Sequence, residues 1–180
     1  MREFDVIVVG AGAPGEVVAG RLGAGGLSVA IVEDRLVGGE CSYYACMPSK
    51  ALLRPAEVAN EARRVPGLPV GTIDAAAVLA RRDDVIAHLD DSRQLPWLEE
   101  RHVTVVRGRG RLDGERRVRV GDETLLARTA VVVATGSSAL VPDIPGLRDS
   151  RPWTNIEATT ATEVPGRLAI LGGGVVGAEM

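Results

Sequence analysis

The sequence predicts an α/β fold, a parallel sheet crossed by helices and extended by a small antiparallel meander. Three observations predict it. A continuous apolar run, FDVIVV at Phe4–Val9, meets a glycine-rich turn at once, which suits a strand buried on both faces of a parallel sheet. Strand, glycine turn, helix and strand then follow as far as Asp34, the order of a βαβ unit. Near the C-terminus RLAILGGGVVGAEM opens the same pattern again, the first strand, turn and helix of a second unit.

Taken in order, PGEVVAGRL predicts a helix from Pro14 to about Leu22, with proline in its first turn and Gly23, Gly25 and Gly26 stopping it. SVAIVED is the second strand and ends in Glu33 and Asp34. SKALLRPAEVANEARR is helical in composition, and Pro55 is expected to bend or break it. From Asp74 to Glu100 a further helical stretch is expected, with Asp74 as N-cap and Pro96 near its end. HVTVVRGRGRL, RRVRVGDETLLA and TAVVVAT are short β-branched segments divided by turn residues, and they predict a meander that feeds back into the parallel sheet. Residues 139–153, rich in proline, predict extended linker. The expected domains are 1–150, 151–166 as a linker and 167–180 as the start of a second domain.

Composition narrows the function classes. With 46% hydrophobic and 25% charged residues among 180, the chain suits one sizeable core. A net charge of −3 and arginines scattered along the chain argue against nucleic acid as a partner. No run approaches the ~18 apolar residues of a membrane span, and the N-terminus lacks the features of a secretory signal. No membrane role is expected, and the expected location is the cytoplasm. A metal site is poorly supplied, because His88 and His102 lie far from the cysteines and read as surface residues of a helix and a strand edge.

Gly10, Gly12 and Gly15 satisfy G-x-G-x-x-G between a strand and a helix, and Glu33 closes the next strand. The first glycine permits the turn, the second admits a diphosphate to backbone N–H groups at the helix N-terminus, and the third lets helix and strand pack closely. Glu33 would accept hydrogen bonds from ribose hydroxyls. Gly172, Gly174 and Gly177 repeat the spacing. The alternative for the first is a glycine turn that serves packing alone, and for the second a glycine-rich C-terminal strand that finishes the first domain.

The window GGECSYYACMPSK, Gly38–Lys50, collects both cysteines, both tyrosines and the only lysine of the chain. In a regular α-helix the Cα atoms of Cys41 and Cys46 would stand about 8.6 Å apart. A disulfide needs less than about 7 Å, so closing the pair demands a distorted turn. Pro48 favours a non-helical Met47 and suits the opening of a helix after it, which would put Cys46 just outside a helix N-terminus, where the dipole stabilises a thiolate. The arrangement describes a reversible dithiol better than a staple, with two inert buried thiols as the alternative. Lys50 is singled out by its setting: every other basic residue is arginine, yet a compact ammonium stands beside the cysteines.

These residues resemble the FAD-dependent pyridine nucleotide-disulfide oxidoreductases, the flavoprotein disulfide reductases of the dihydrolipoyl dehydrogenase, glutathione reductase and mercuric reductase type. The likeness runs in family order through VIVVGAGAPG, Glu33, GGECSYYACMPSK, VVVATGSSA, IPG and LGGGVVGAE. It implies a Rossmann-like FAD-binding domain in which Gly10, Gly12, Ala13, Pro14, Gly15 and Glu33 hold the ADP half of FAD. Gly39 and Glu40 would contribute beside the dithiol, Arg109 and Gly110 at the adenine, and Ala134, Thr135 and Gly136 in closing over the cofactor. Cys46 would lie against the flavin, Cys41 would exchange with substrate, and Lys50 would sit near the reactive flavin nitrogen and pair with Glu179. Gly172, Gly174 and Gly177 would begin the NAD(P)H site. Glu40 stands where the family usually has threonine, and Tyr43, Tyr44 and Ala45 replace smaller or polar residues. The resemblance further implies a disulfide or other small-molecule electron acceptor, a homodimer, and a His–Glu pair beyond Met180, so that these residues alone would be inactive. A non-catalytic flavin-binding fragment and a quinone or metal-ion reductase are the rival readings.

Overall fold

β1 (Arg2–Val9) lies in the middle of a six-stranded sheet, flanked by β2 (Val29–Glu33) and β6 (Glu123–Val133). The computed structural model describes residues 1–180. The strand order is β3–β2–β1–β6–β5–β4, with β3 (Val103–Arg107), β4 (Gly110–Leu112) and β5 (Arg117–Val120). β1 pairs in parallel with β2 and β6, and β2 with β3, whereas β4, β5 and β6 pair antiparallel. The expected meander therefore starts at β4, because Val103–Arg107 joins the parallel ladder beside Val29–Glu33.

The two-residue period of the strands builds two core layers. Ile7, Val9, Ala30 and Val32 face one side with Val118, Val120 and Leu125 from the meander. Val6, Val8, Val29 and Ile31 face the other, against Ala19 of α1 (Ala13–Ala24) and Leu98 of α5 (Leu95–Glu99). The chain divides into two compact units, Met1–Cys41 with Asp90–Ser137, and Ser42–Leu89 with Ser138–Met180. The whole sheet belongs to the first. The second is helical, with α4 (Ala75–Val85), α6 (Asn155–Thr159), α7 (Val175–Glu179) and the long α3 (Cys46–Arg63), while the short α2 (Gly39–Tyr43) precedes α3.

Several elements depart from the expectations. α1 continues through Gly23, where a Cβ would overlap the Arg101 carbonyl, and stops at Gly25 and Gly26. α3 starts at Cys46, two residues before Pro48, since a proline in the first turn forfeits only a donor that would lack a helical partner. Pro55 does not break α3. It strips the Ala51 carbonyl of its helical donor, and the Arg81 guanidinium donates to that oxygen instead at 2.8 Å. Asp74 caps α4 as expected, accepting from the N–H groups of Ala76 and Ala77. The expected stretch is nevertheless interrupted after Val85 and resumes only as α5 with Pro96 in its first turn, because Ala87, His88 and Leu89 have φ of 50°, 52° and 63°. Asp90 then accepts from the Ser92 N–H and hydroxyl, a local turn that competes with helix. His88 thus sits in that turn and His102, at φ 57°, in the one before β3. Within 151–166 the chain forms α6, opened by a capping box between Thr154 and Glu157. Residues 167–171 have no strand beside them to form a ladder and remain irregular before α7.

Candidate functional site

The first glycine turn is built by contacts that only glycine allows. Gly10 has φ +102°, and a Cβ on it would overlap the Ala134 carbonyl at the end of β6. A Cβ on Gly15 would overlap the Gly10 carbonyl, so the first turn of α1 rests directly on the strand end. Gly12 is different: a Cβ there would meet only Pro14 Cδ, at 4.0 Å. No side chain caps α1, and Pro14 in its first turn has no N–H. The turn therefore leaves helix N–H groups and open space together, which fits the diphosphate of a dinucleotide.

Glu33 is used by the turn itself. Its carboxylate accepts from the Ala11 N–H at 2.7 Å and from the Arg35 N–H at 2.8 Å, leaving further lone pairs for a ribose. Gly38 donates to the Ala11 carbonyl, and a Cβ on Gly39 would strike Gly12 Cα. Gly110 stands over the ends of β1 and β2, where a Cβ would press on Val9 and Val32. Arg109 is exposed beside it and lines a cavity of about 410 Å³ with Arg107, Arg111 and Arg119. Ala134 donates to the Val9 carbonyl, and Thr135 and the left-handed Gly136 (φ +68°) continue from it, exposed. Gly10, Gly15, Glu33, Gly110 and Ala134 thus share the C-terminal edge of the parallel strands, where such sheets bind ligands. Glu16, one residue past the third glycine, has its carboxyl pushed up to about 7 by burial.

Cys41 and Cys46 are joined by a disulfide. The distorted turn that this requires is the break between α2 and α3: Tyr44 is in a turn and Ala45 has φ −142° and ψ −96°. Cys46 is the first residue of α3 rather than just outside it, and it is exposed, whereas Cys41 is half-buried. Ser49 is buried and Lys50 points outward.

Lys50 pairs with Glu179, a contact formed within this chain and not buried, the two side chains being 61% and 26% exposed. Hydrogen bonds from Lys50 and then Ser49 hold the Glu179 carboxyl below the usual carboxylate range. Glu179 ends the short α7 that follows the second glycine turn. There Gly172 has φ +107°, and a Cβ on Gly177 would overlap the Gly172 carbonyl, as in the first turn, yet a Cβ on Gly172 or Gly174 would meet nothing within 4 Å. Glu40 is exposed at the start of α2.

Sequence reasoning missed three residues of the second unit. Asn155 Nδ2 donates to the Tyr44 carbonyl at 2.9 Å, and the Thr159 hydroxyl lies 3.1 Å from that oxygen while also facing the Asn155 carbonyl at 2.8 Å. Arg82, 1% exposed, donates to the carbonyls of Thr159 and Ala161. The T-x-x-E spacing of Thr154 and Glu157 could have placed α6, but nothing in it points to Tyr44.

Residues 4–180 match the family model described as pyridine nucleotide-disulphide oxidoreductase. A dihydrolipoyl dehydrogenase 3 of Pseudomonas aeruginosa is 38% identical over all of this chain and 40% of its own length. A dihydrolipoyl dehydrogenase of Acholeplasma laidlawii is 33% identical over 99% of this chain and 55% of its own. A mercuric reductase of Staphylococcus aureus is 30% identical over 99% and 33%. Among solved structures, the Cu(II) complex of the HOCl-induced flavoprotein disulfide reductase RclA from Escherichia coli superposes with a TM-score of 0.82 at 25% identity, over 99% of this chain and 39% of that one. The chain thus spans between a third and somewhat over half the length of these relatives, and its mostly parallel six-stranded sheet matches their Rossmann-like FAD-binding domain.

Proposed function

The chain belongs to the pyridine nucleotide-disulphide oxidoreductase family, and from that premise we propose that it is the FAD-binding, dithiol-bearing part of an NAD(P)H-dependent disulfide reductase of the dihydrolipoyl dehydrogenase kind. The family is FAD-dependent with NAD(P)H as electron donor. One observation carries the reading: the Cys41–Cys46 disulfide opens a long helix whose Lys50 pairs with Glu179 behind a second glycine turn.

When bound, FAD supplies two-electron transfer between the nicotinamide and the cysteine pair. Gly10, Gly12, Ala13, Pro14 and Gly15 would hold its diphosphate at the α1 N-terminus, Glu33 its ribose, and Arg109 and Gly110 its adenine. Ala134, Thr135 and Gly136 would close over it, with Gly39 and Glu40 beside the dithiol and Lys50 near the flavin ring. Gly172, Gly174 and Gly177 would begin the nicotinamide nucleotide site. Cys46 is the partner with the stabilised thiolate, because it stands at the N-terminus of α3. In the reduced pair the Cys41 thiolate attacks a substrate disulfide, forming a mixed disulfide and releasing one substrate thiolate. The Cys46 thiolate then attacks Cys41, releasing the second and restoring the Cys41–Cys46 bond. A homodimer in the cytoplasm, with a small-molecule disulfide as acceptor, belongs to the same reading.

The full protein, denatured, should release FAD; release of FMN alone, or failure to take up FAD, overturns the proposal. Reduction should raise a long-wavelength thiolate-to-flavin absorption that Cys46→Ser abolishes. Loss of that band in Cys41→Ser with retention in Cys46→Ser would reverse the two roles. A metal-ion acceptor is the second reading, favoured by the mercuric reductases among the relatives. Nicotinamide oxidation assayed with lipoamide, glutathione disulfide and mercuric ion side by side separates the two.

A further inference from the structure

The redox loop is held from outside its own motif. Between α2 and α3 the backbone leaves the helical path at Tyr44 and Ala45, so the Tyr44 carbonyl needs donors from elsewhere. Both come from α6. Asn155 Nδ2 donates to that oxygen at 2.9 Å, and the Thr159 hydroxyl stands 3.1 Å from it, its single hydrogen shared with the Asn155 carbonyl at 2.8 Å; Thr159 is 1% exposed. α6 is itself fixed twice. The capping box of Thr154 and Glu157 closes its start, and Arg82 of α4 binds the free carbonyls of Thr159 and Ala161 at its end. Arg82 is as buried as Thr159, and its third contact is the Asp83 carboxylate at 2.8 Å. A chain of buried and half-buried polar contacts therefore runs from α4 through α6 to the peptide midway between the two cysteines.

We infer that Asn155 and Thr159 are positioning residues that fix the Tyr44 peptide and so set the Cys41–Cys46 redox equilibrium. Its relevance to catalysis rests on the proposed role of that pair, but the equilibrium exists without it. Reduction of the disulfide takes two electrons and two protons and yields two thiols. In the dithiol form the loop is freer, and the two sulfurs meet often only if the backbone between them stays in its broken conformation. The Asn155 hydrogen bond and the shared Thr159 hydroxyl hold it there, raising the effective concentration of one thiol at the other and favouring the disulfide. Without them the dithiol gains freedom and the disulfide becomes easier to reduce.

The test equilibrates the full protein with glutathione couples of defined ratio, alkylates free thiols and reads the Cys41–Cys46 peptide by mass. Asn155→Ala combined with Thr159→Val should shift the equilibrium constant about tenfold toward the dithiol, which is about 30 mV for a two-electron couple. Thr159→Ser, which keeps the hydroxyl, should behave as the parent when paired with native Asn155. Parental equilibrium in the double variant, with the fold intact by its melting curve, overturns the inference. Asn155→Ala alone, at a half-buried position, should still shift the constant severalfold if the double variant fails to fold, and an unchanged constant there also overturns it. A parent that binds no flavin would sink the proposed function while leaving this equilibrium measurable.

Discussion

The two glycine turns have nearly the same backbone and unequal surroundings. The residue before each following helix, Gly12 or Gly174, has φ −72° with ψ of 175° or −178°. The first glycine of each is left-handed, at +102° and +107°, and the third is forced by the carbonyl of the first. Around the first turn, however, stand Ala134, Glu33, Gly38 and Gly39, whereas a Cβ on Gly172 or Gly174 of the second would meet nothing within 4 Å. Local sequence thus suffices to shape the turn. What sets the first apart is the sheet edge built around it, which brings in Ala134 from more than a hundred positions away.

The strongest way to break this comparison is to put the same clash in both turns. Gly15→Ala should destabilise the protein by about 3 kcal/mol, because the new methyl meets the Gly10 backbone just past the end of the central strand β1, which cannot move aside. Gly177→Ala makes the equivalent clash on an exposed turn, and should loosen α7 without shifting global unfolding. Urea melts of the two variants check this, and equal losses would mean that the second turn is as much a part of the cooperative unit as the first.

A second expectation concerns the acid beside the first turn. The Glu16 carboxyl is raised by burial from 4.5 to about 7, so the folded chain binds more protons than the unfolded chain between those values. Stability should therefore fall as pH rises from roughly 4.5 to 7 and level off above. Glu16→Gln, neutral throughout, should flatten that decline and exceed the parent above pH 7. Parallel pH profiles of parent and variant would show instead that Glu16 is well solvated.

The same contrast between local pattern and surroundings explains what was legible in the sequence. The glycine spacings, the apolar runs of β1 and β2 and the cysteine window carry their structure within a few residues, and each was readable. The passage of α3 through Pro55 was not, because it depends on Arg81 reaching the Ala51 carbonyl from 30 residues away. Nor was the break after Val85, where three left-handed residues, two of them alanine and leucine, carry no turn signal. The hold of α6 on Tyr44 spans more than 110 residues and uses an asparagine and a threonine that read as ordinary polar residues of a linker. Lys50 and Glu179 were paired through the resemblance, while their exposure could be learned only from the folded chain.

The smallest effect is expected from that pair. Both charges are partly in water, so screening leaves little for global stability, and Lys50→Met should melt with the parent. The pair should be visible instead in the titration of Glu179, whose carboxyl is lowered first by the hydrogen bond from Lys50, then by Ser49. A lowered folded value means that the pairing is complete above the ordinary carboxylate range and fades as pH falls through the folded value. Carboxyl NMR of the parent should thus find Glu179 titrating below an ordinary glutamate, and in Lys50→Met it should move back up. If it stays put, Ser49 and the end of α3 hold the carboxylate without the lysine, and the second turn is tied to the cysteine helix by a neutral hydrogen-bond donor rather than by charge.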